Sequence, residues 1–196
     1  DRLSKWGVPD HLVFQRVEKD LSADHSTRPT FRVIQTSSSH EPFDVPFHRL
    51  NNKKLNAFAY SDDCIGRFVE WLKKTERWNR CLVVLIPDHL GAWPDDIDNF
   101  SFWRFHVPML WTGGVLSSTK RVIDTYGSQQ DITATLLGQL GYDHSMFPFS
   151  KDLLDPKEPH YAFFMMNDGF GLVDDHGAMI YDFNRKAVVQ RLVISV

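Results

Sequence analysis

The residues best suited to chemistry sit where an apolar run stops. In CLVVLIPDHLG (81–91) a carboxylate and an imidazole, Asp88 and His89, follow the hydrophobic stretch, and Gly91 lets the backbone turn away. A carboxylate oxygen beside an imidazole nitrogen suits a divalent cation of the zinc or manganese type. The pair supplies two of the roughly four donors a tetrahedral site takes. The alternative is a polar loop whose Asp and His satisfy local amides. His40, in the serine-rich stretch TSSSHEPFDVPF, is a second candidate, against a plain exposed loop histidine. His106 opens the run HVPMLWTGG and is a weaker one, while Asp62 and Asp63 read as the solvated face of a helix. His48, His144, His160 and His176 have no assignable partner. Cys64 and Cys81 read as free buried thiols. G-x-S-x-G, P-loop, G-x-G-x-x-G and C-x-x-C patterns are absent, and Cys64-Ile65-Gly66-Arg67 departs from C-x-[PS]-x-R, a motif whose cysteine is oxidised to formylglycine.

Positioning such groups needs elements whose ends meet. Pro9 suits the first turn of a helix carrying Phe14, Val17 and Leu21 on one face. TFRVIQT (30–36) is β-branched and aromatic, as a strand is. Ile65, Phe68, Val69 and Leu72 keep the i, i+3, i+4, i+7 spacing of a buried helical stripe over about 55–74. The continuous apolar run CLVVLIPD reads as a central parallel strand covered on both faces. In SQQDITATLLGQLG, Ser128 and Asp131 resemble a capping box, Ile132, Leu136, Leu137 and Leu140 form an apolar face, and Gly141 is a stop. Alternation of helix and strand predicts an α/β fold, a three-layer αβα arrangement on a mostly parallel sheet. Its polar clusters would lie at the carboxyl ends of strands, where such sheets bind ligands. From 160 onward short strands parted by Gly, Asp and Asn predict a small antiparallel β subdomain. The expected division is 1–150 for the α/β part and 151–196 for the subdomain.

The chain has 196 residues, 42% hydrophobic, which is enough for a packed core. A formal charge of −3 gives no electrostatic case for nucleic acid or an anionic membrane. The opening DRLSKWGV lacks Met, so the expectation is a piece of something longer.

In order along the chain, these segments resemble the lipoteichoic acid synthase-like sulfatase family, within the alkaline phosphatase/sulfatase superfamily. TSSSHEPF resembles its T-x-x-H-x-P-F-type segment. YSDDCIGRFVEWLKKTERWNRCLVVLIPDHLG is similar to its helix, strand and D-H-G-type metal motif. VPMLWTGG, SQQDITATLLGQLG and DLLD match later segments, and NDGFGLVDDHGAMIYD resembles the C-terminal strands. The resemblance implies that Asp88 and His89 are metal ligands and that His40 contacts the substrate phosphate or headgroup. A threonine nucleophile and a further acidic ligand are implied upstream of His40. The 39 residues before it hold neither in the right order, and Thr133 and Thr135 are poor substitutes.

The expectation is therefore the C-terminal half of a catalytic domain whose N-terminal half lies elsewhere. It would be inert alone and bind divalent metal (Mn, Mg or Zn, with Ca disfavoured by the histidine) weakly. The implied activity is phosphoglycerol or phosphoethanolamine transfer, or sulfuric ester hydrolysis. The implied partner is a phospholipid headgroup or another phosphate or sulfate ester. The resemblance also implies a cell-envelope setting, with an inner-membrane anchor and the domain facing the periplasm or exterior. An exposed half-domain face predicts self-association. The other reading is a catalytically lapsed member acting as an envelope binding or assembly module.

Overall fold

A computed structural model describes residues 7–91, 93, 97–117 and 122–193. The described residues divide into two compact units, the first within Asp1–Ile86, Gly91–Asp95 and Met109–Ser117, the second within Pro87–Leu90, Asp96–Pro108 and Ser118–Val196.

The first unit is built on two helices, α1 (Asp10–Ala23) and α2 (Lys53–Lys73). Asn52 starts α2 by accepting from the Lys54 and Leu55 amides at 2.9 and 3.1 Å, satisfying donors that a helix start leaves unpaired. The predicted stripes meet: Phe14 and Phe68 rings lie 5.1 Å apart in a core with Val45, Ala57, Tyr60, Cys64 and Leu72. Val17, Leu21 and Ile65 pack against it. Both cysteines are free thiols, Cys64 buried and Cys81 half-buried.

β1 (Val83–Leu85) pairs antiparallel with β2 (Leu110–Thr112), Val84 opposite Trp111. Gly113, at φ +137°, has room only for hydrogen: a Cβ there would sit 2.2 Å from the Cys81 carbonyl oxygen. Two expectations change. The run 81–87 contributes three strand residues, half-buried and paired antiparallel, in place of a central parallel strand. Residues 30–36 form no ladder among the described residues, and Phe31 and Val33 are 81% and 80% exposed. β propensity becomes a strand only where a neighbouring backbone completes the hydrogen bonds.

In the second unit, α3 (Phe102–Phe105) is a single turn, and a 3-10 turn (Gln129–Asp131) leads into α4 (Ile132–Gln139). The capping box is present, with the Ser128 amide donating to Asp131 Oδ2 at 2.7 Å. Gly141, at φ +73°, ends the helix. The most deeply buried residues lie beside the predicted stripe: Ala134 and Thr135 are covered, Ile132, Leu136 and Leu137 are half-buried, and Leu140 is 59% exposed. Polar bonds select that face. Thr135 Oγ1 donates to the Asp131 carbonyl at 2.7 Å and accepts from the Leu153 amide at 3.0 Å. Beyond it, β3 (Tyr161–Met166), β4 (Gly169–Asp174), β5 (Gly177–Asp182) and β6 (Ala187–Val193) form a four-stranded antiparallel meander, as expected. The α/β class holds. Among the described residues no helix is long and apolar enough to cross a membrane.

The core of the first unit carries a pH signature. Burial pushes the Tyr60 phenol from 10.0 up to about 12, with the neighbouring Cys64 adding to it, while its oxygen contacts His11 Nδ1. Above pH 10.0 an unfolded chain loses this proton while the folded chain keeps it, so the unfolded state binds fewer protons and stability falls with pH. Stability measured by denaturant titration should fall between pH 10.0 and about 12, and Tyr60→Phe should flatten that fall. An equal slope in the variant would refute the assignment.

Candidate functional site

His40 is carried by the first unit on a loop anchored from beneath. Asp10, at the start of α1, is fully buried. Its carboxylate accepts from the Ser37 and Ser38 amides at 2.8 and 3.0 Å and from Ser61 Oγ at 2.6 Å. Its own amide donates to Ser38 Oγ at 3.0 Å. Two turns follow, the His40 amide donating to the Ser37 carbonyl at 3.1 Å and the Phe43 amide to the His40 carbonyl at 3.0 Å. Phe43 packs on the core while His40 is exposed, its Nδ1 3.4 Å from the Glu41 carbonyl oxygen. A buried carboxylate is stabilised by such converging donors. It fixes the backbone that presents the imidazole.

Asp88 and His89 follow β1 and belong to the second unit. Their side chains are 87% and 47% exposed, and His89 Nε2 lies 3.6 Å from Asp88 Oδ2. His89 Nδ1 sits 2.9 Å from the Leu90 carbonyl oxygen, a contact that only Nδ1–H can make as a donor. In that tautomer the lone pair is on Nε2, toward the carboxylate, the arrangement by which second-shell carbonyls orient metal-binding histidines. Two donors about 2.0–2.1 Å from a tetrahedral ion lie about 3.3 Å apart. The observed spacing is close to that, so the pair fits two positions of one cation. Among the described residues no group of three or more His, Cys, Asp or Glu could hold a metal.

The other sequence candidates separate. His106 caps the end of α3, its amide on the Trp103 carbonyl at 3.2 Å, four residues before β2 begins at Leu110, so it does not open a strand. Asp63 pairs with Arg67 at 2.8 Å on the exposed face of α2, as a solvated helix face does. His144 lies 3.7 Å from Glu158, and His160 3.1 Å from the Asp155 carbonyl oxygen.

Three residues that support these loops directly or through the α4 turn belong to none of the motifs: Asp10, Gln129 and Lys151. Gln129 Nε2 donates to the Pro87 and Asp88 carbonyls at 2.7 and 2.8 Å. Lys151 Nζ, 7% exposed, lies 2.9 Å from both oxygens of the fully buried Asp131, and 3.9 Å from the Tyr161 ring centroid. Asp10 had a faint signal, an acidic residue at a helix start facing a donor-rich Ser-Ser-Ser run. Gln129 and Lys151 depend on residues 20 to 42 positions away, which no local pattern reports.

A protein-family model described as Sulfatase matches residues 2–142. The crystal structure of a protein in the alkaline phosphatase superfamily from Vibrio parahaemolyticus matches the whole chain with a TM-score of 0.78 and 23% identity. The match covers 51% of that protein, so this chain spans about half its length. The likeness at this identity is one of fold.

Proposed function

This chain belongs to the sulfatase family, and from that premise we propose that it is the C-terminal half of a metal-dependent catalytic domain. The proposed reaction is of the phosphoglycerol or phosphoethanolamine transferase type, or sulfuric ester hydrolysis. The superfamily acts on phosphate or sulfate esters and is generally metal-dependent. The observation that carries the reading is the pair of cation-competent donors, His89 Nε2 and Asp88 Oδ2, 3.6 Å apart after β1. Asp88 and His89 would hold a divalent ion, of the Mn, Zn or Mg type because an imidazole suits calcium poorly. Such an ion supplies charge neutralisation to a transferring phosphoryl or sulfuryl group. His40, on its Asp10-anchored loop, would donate a hydrogen bond from a ring N–H to a non-bridging oxygen of the ester.

The nucleophile is assigned to the N-terminal half. The hydroxyl of Thr135 is buried and already engaged between Asp131 and Leu153, so it cannot attack an ester. Neither half then suffices alone. The 196 residues by themselves should show no turnover of bis(p-nitrophenyl) phosphate or p-nitrocatechol sulfate with added Mn2+ or Zn2+. Turnover above buffer would sink the assignment of the nucleophile elsewhere. A polypeptide carrying both halves should turn over one of these substrates. If it binds metal without turnover, the reading shifts to a lapsed member serving as a binding or assembly module of the cell envelope.

A further inference from the structure

We infer that Gln129 is the positioning residue of the Asp88–His89 pair, an inference that rests on reading that pair as cation ligands. The two carbonyls that Gln129 Nε2 engages, Pro87 at 2.7 Å and Asp88 at 2.8 Å, belong to the peptide groups on either side of the Asp88 Cα. One amide group gripping both leaves Asp88 little freedom in φ and ψ. With those dihedrals set, Asp88 Oδ1 receives the His89 amide at 2.9 Å, and the Leu90 amide is tied to the Arg104 carbonyl at 3.0 Å. The Leu90 carbonyl in turn receives His89 Nδ1 at 2.9 Å, so the direction of Nε2 follows from the same constraints.

The loop itself is exposed from Pro87 to His89, so burial does not order it. Gln129 supplies what burial does not. Gln129 is itself exposed, but its backbone opens the turn closed by the Ser128 amide on Asp131, and the fully buried Asp131 is held in turn by Lys151. The residue type also fits. A carboxamide offers two donors to two carbonyl oxygens without charge. A lysine or arginine would place a positive charge where a cation is to bind, and a glutamate would repel both carbonyls.

The test uses the full chain with Gln129→Met, similar in length and unable to donate, and with His89→Ala. Hydrogen exchange of the metal-free protein should speed up at His89 and Leu90 in Gln129→Met, with the melting temperature unchanged. Zn2+ affinity, measured by calorimetric titration of each protein, should fall by about 10- to 100-fold in Gln129→Met, the range seen when outer-shell partners of metal ligands are removed. Unchanged exchange overturns the inference, and so does unchanged affinity in Gln129→Met where His89→Ala lowers it. If His89→Ala itself leaves Zn2+ binding intact, the ligand reading fails instead, and the exchange result alone decides Gln129.

Discussion

Alanine at His89 should abolish the proposed metal-dependent turnover in a polypeptide that carries both proposed halves of the catalytic domain: this is the largest expected effect on activity. The side chain reaches its neighbours through both nitrogens, Nδ1 at the Leu90 carbonyl and Nε2 toward Asp88. Removing it would delete one of the two proposed ligands outright. Loss of a second-shell partner alone costs about 10- to 100-fold, so loss of the ligand should exceed that in both metal content and kcat/KM. Asp88→Ala should do the same, and Asp88→Asn should keep part of the affinity, because an amide oxygen still coordinates while the charge is gone. Metal analysis of the purified variants beside steady-state kinetics checks the pair. Wild-type metal content and turnover in His89→Ala would remove His89 from the metal site, and the same result in Asp88→Ala would remove Asp88.

The largest expected effect on stability is at Asp131. It is fully buried, and its carboxylate accepts from Lys151 Nζ, the Lys151 amide and the Ser128 amide. Asp131→Ala leaves a buried ammonium that keeps, among the described residues, the Tyr161 ring beside it, and it removes the acceptor of the Ser128 and Lys151 amides. Breaking a buried pair from one side costs about 3–5 kcal/mol, a large share of the roughly 5–15 kcal/mol that holds a domain folded. Urea titration followed by the signal of the second unit should register it. The double change Asp131→Leu with Lys151→Met should cost less than Asp131→Ala, because no charge is left uncompensated. A loss under about 1 kcal/mol in Asp131→Ala would mean that Lys151 finds water or another partner, and that the pair does not hold the α4 turn in place.

The second change also reports on the site. Gln129 stands two residues before Asp131 and grips the Pro87 and Asp88 carbonyls. Destabilising this turn should therefore loosen the Asp88–His89 loop before the four-stranded sheet unfolds. Hydrogen exchange resolved by segment distinguishes that order from a single cooperative loss.

Much of the local structure was legible in the residues because its causes are local. The stripe of Phe68 and Leu72 with its i, i+4 spacing, the Ser128–Asp131 box and the stop at Gly141 each depend on neighbours within a turn or two. The alternating short strands of the C-terminal meander were readable for the same reason, since tight turns pair adjacent segments. Asp88 and His89 were legible as adjacent donors at the end of an apolar run. Their approach to 3.6 Å needs only their own loop.

Tertiary structure alone decided the rest. TFRVIQT has the composition of a strand, yet a ladder needs a second backbone, and among the described residues none pairs with it. The periodicity of α4 identified a leucine stripe, but the face that is covered most deeply is set by Thr135 bonding to the chain around Leu153. Asp10, Gln129 and Lys151 hold their loops through contacts across 20 to 51 residues of sequence, and such pairings come into being only when the chain closes on itself. Side-chain chemistry and short-range spacing are written residue by residue. Which donors meet which acceptors across the fold is a property of the packed whole, because long-range contacts depend on every segment between them.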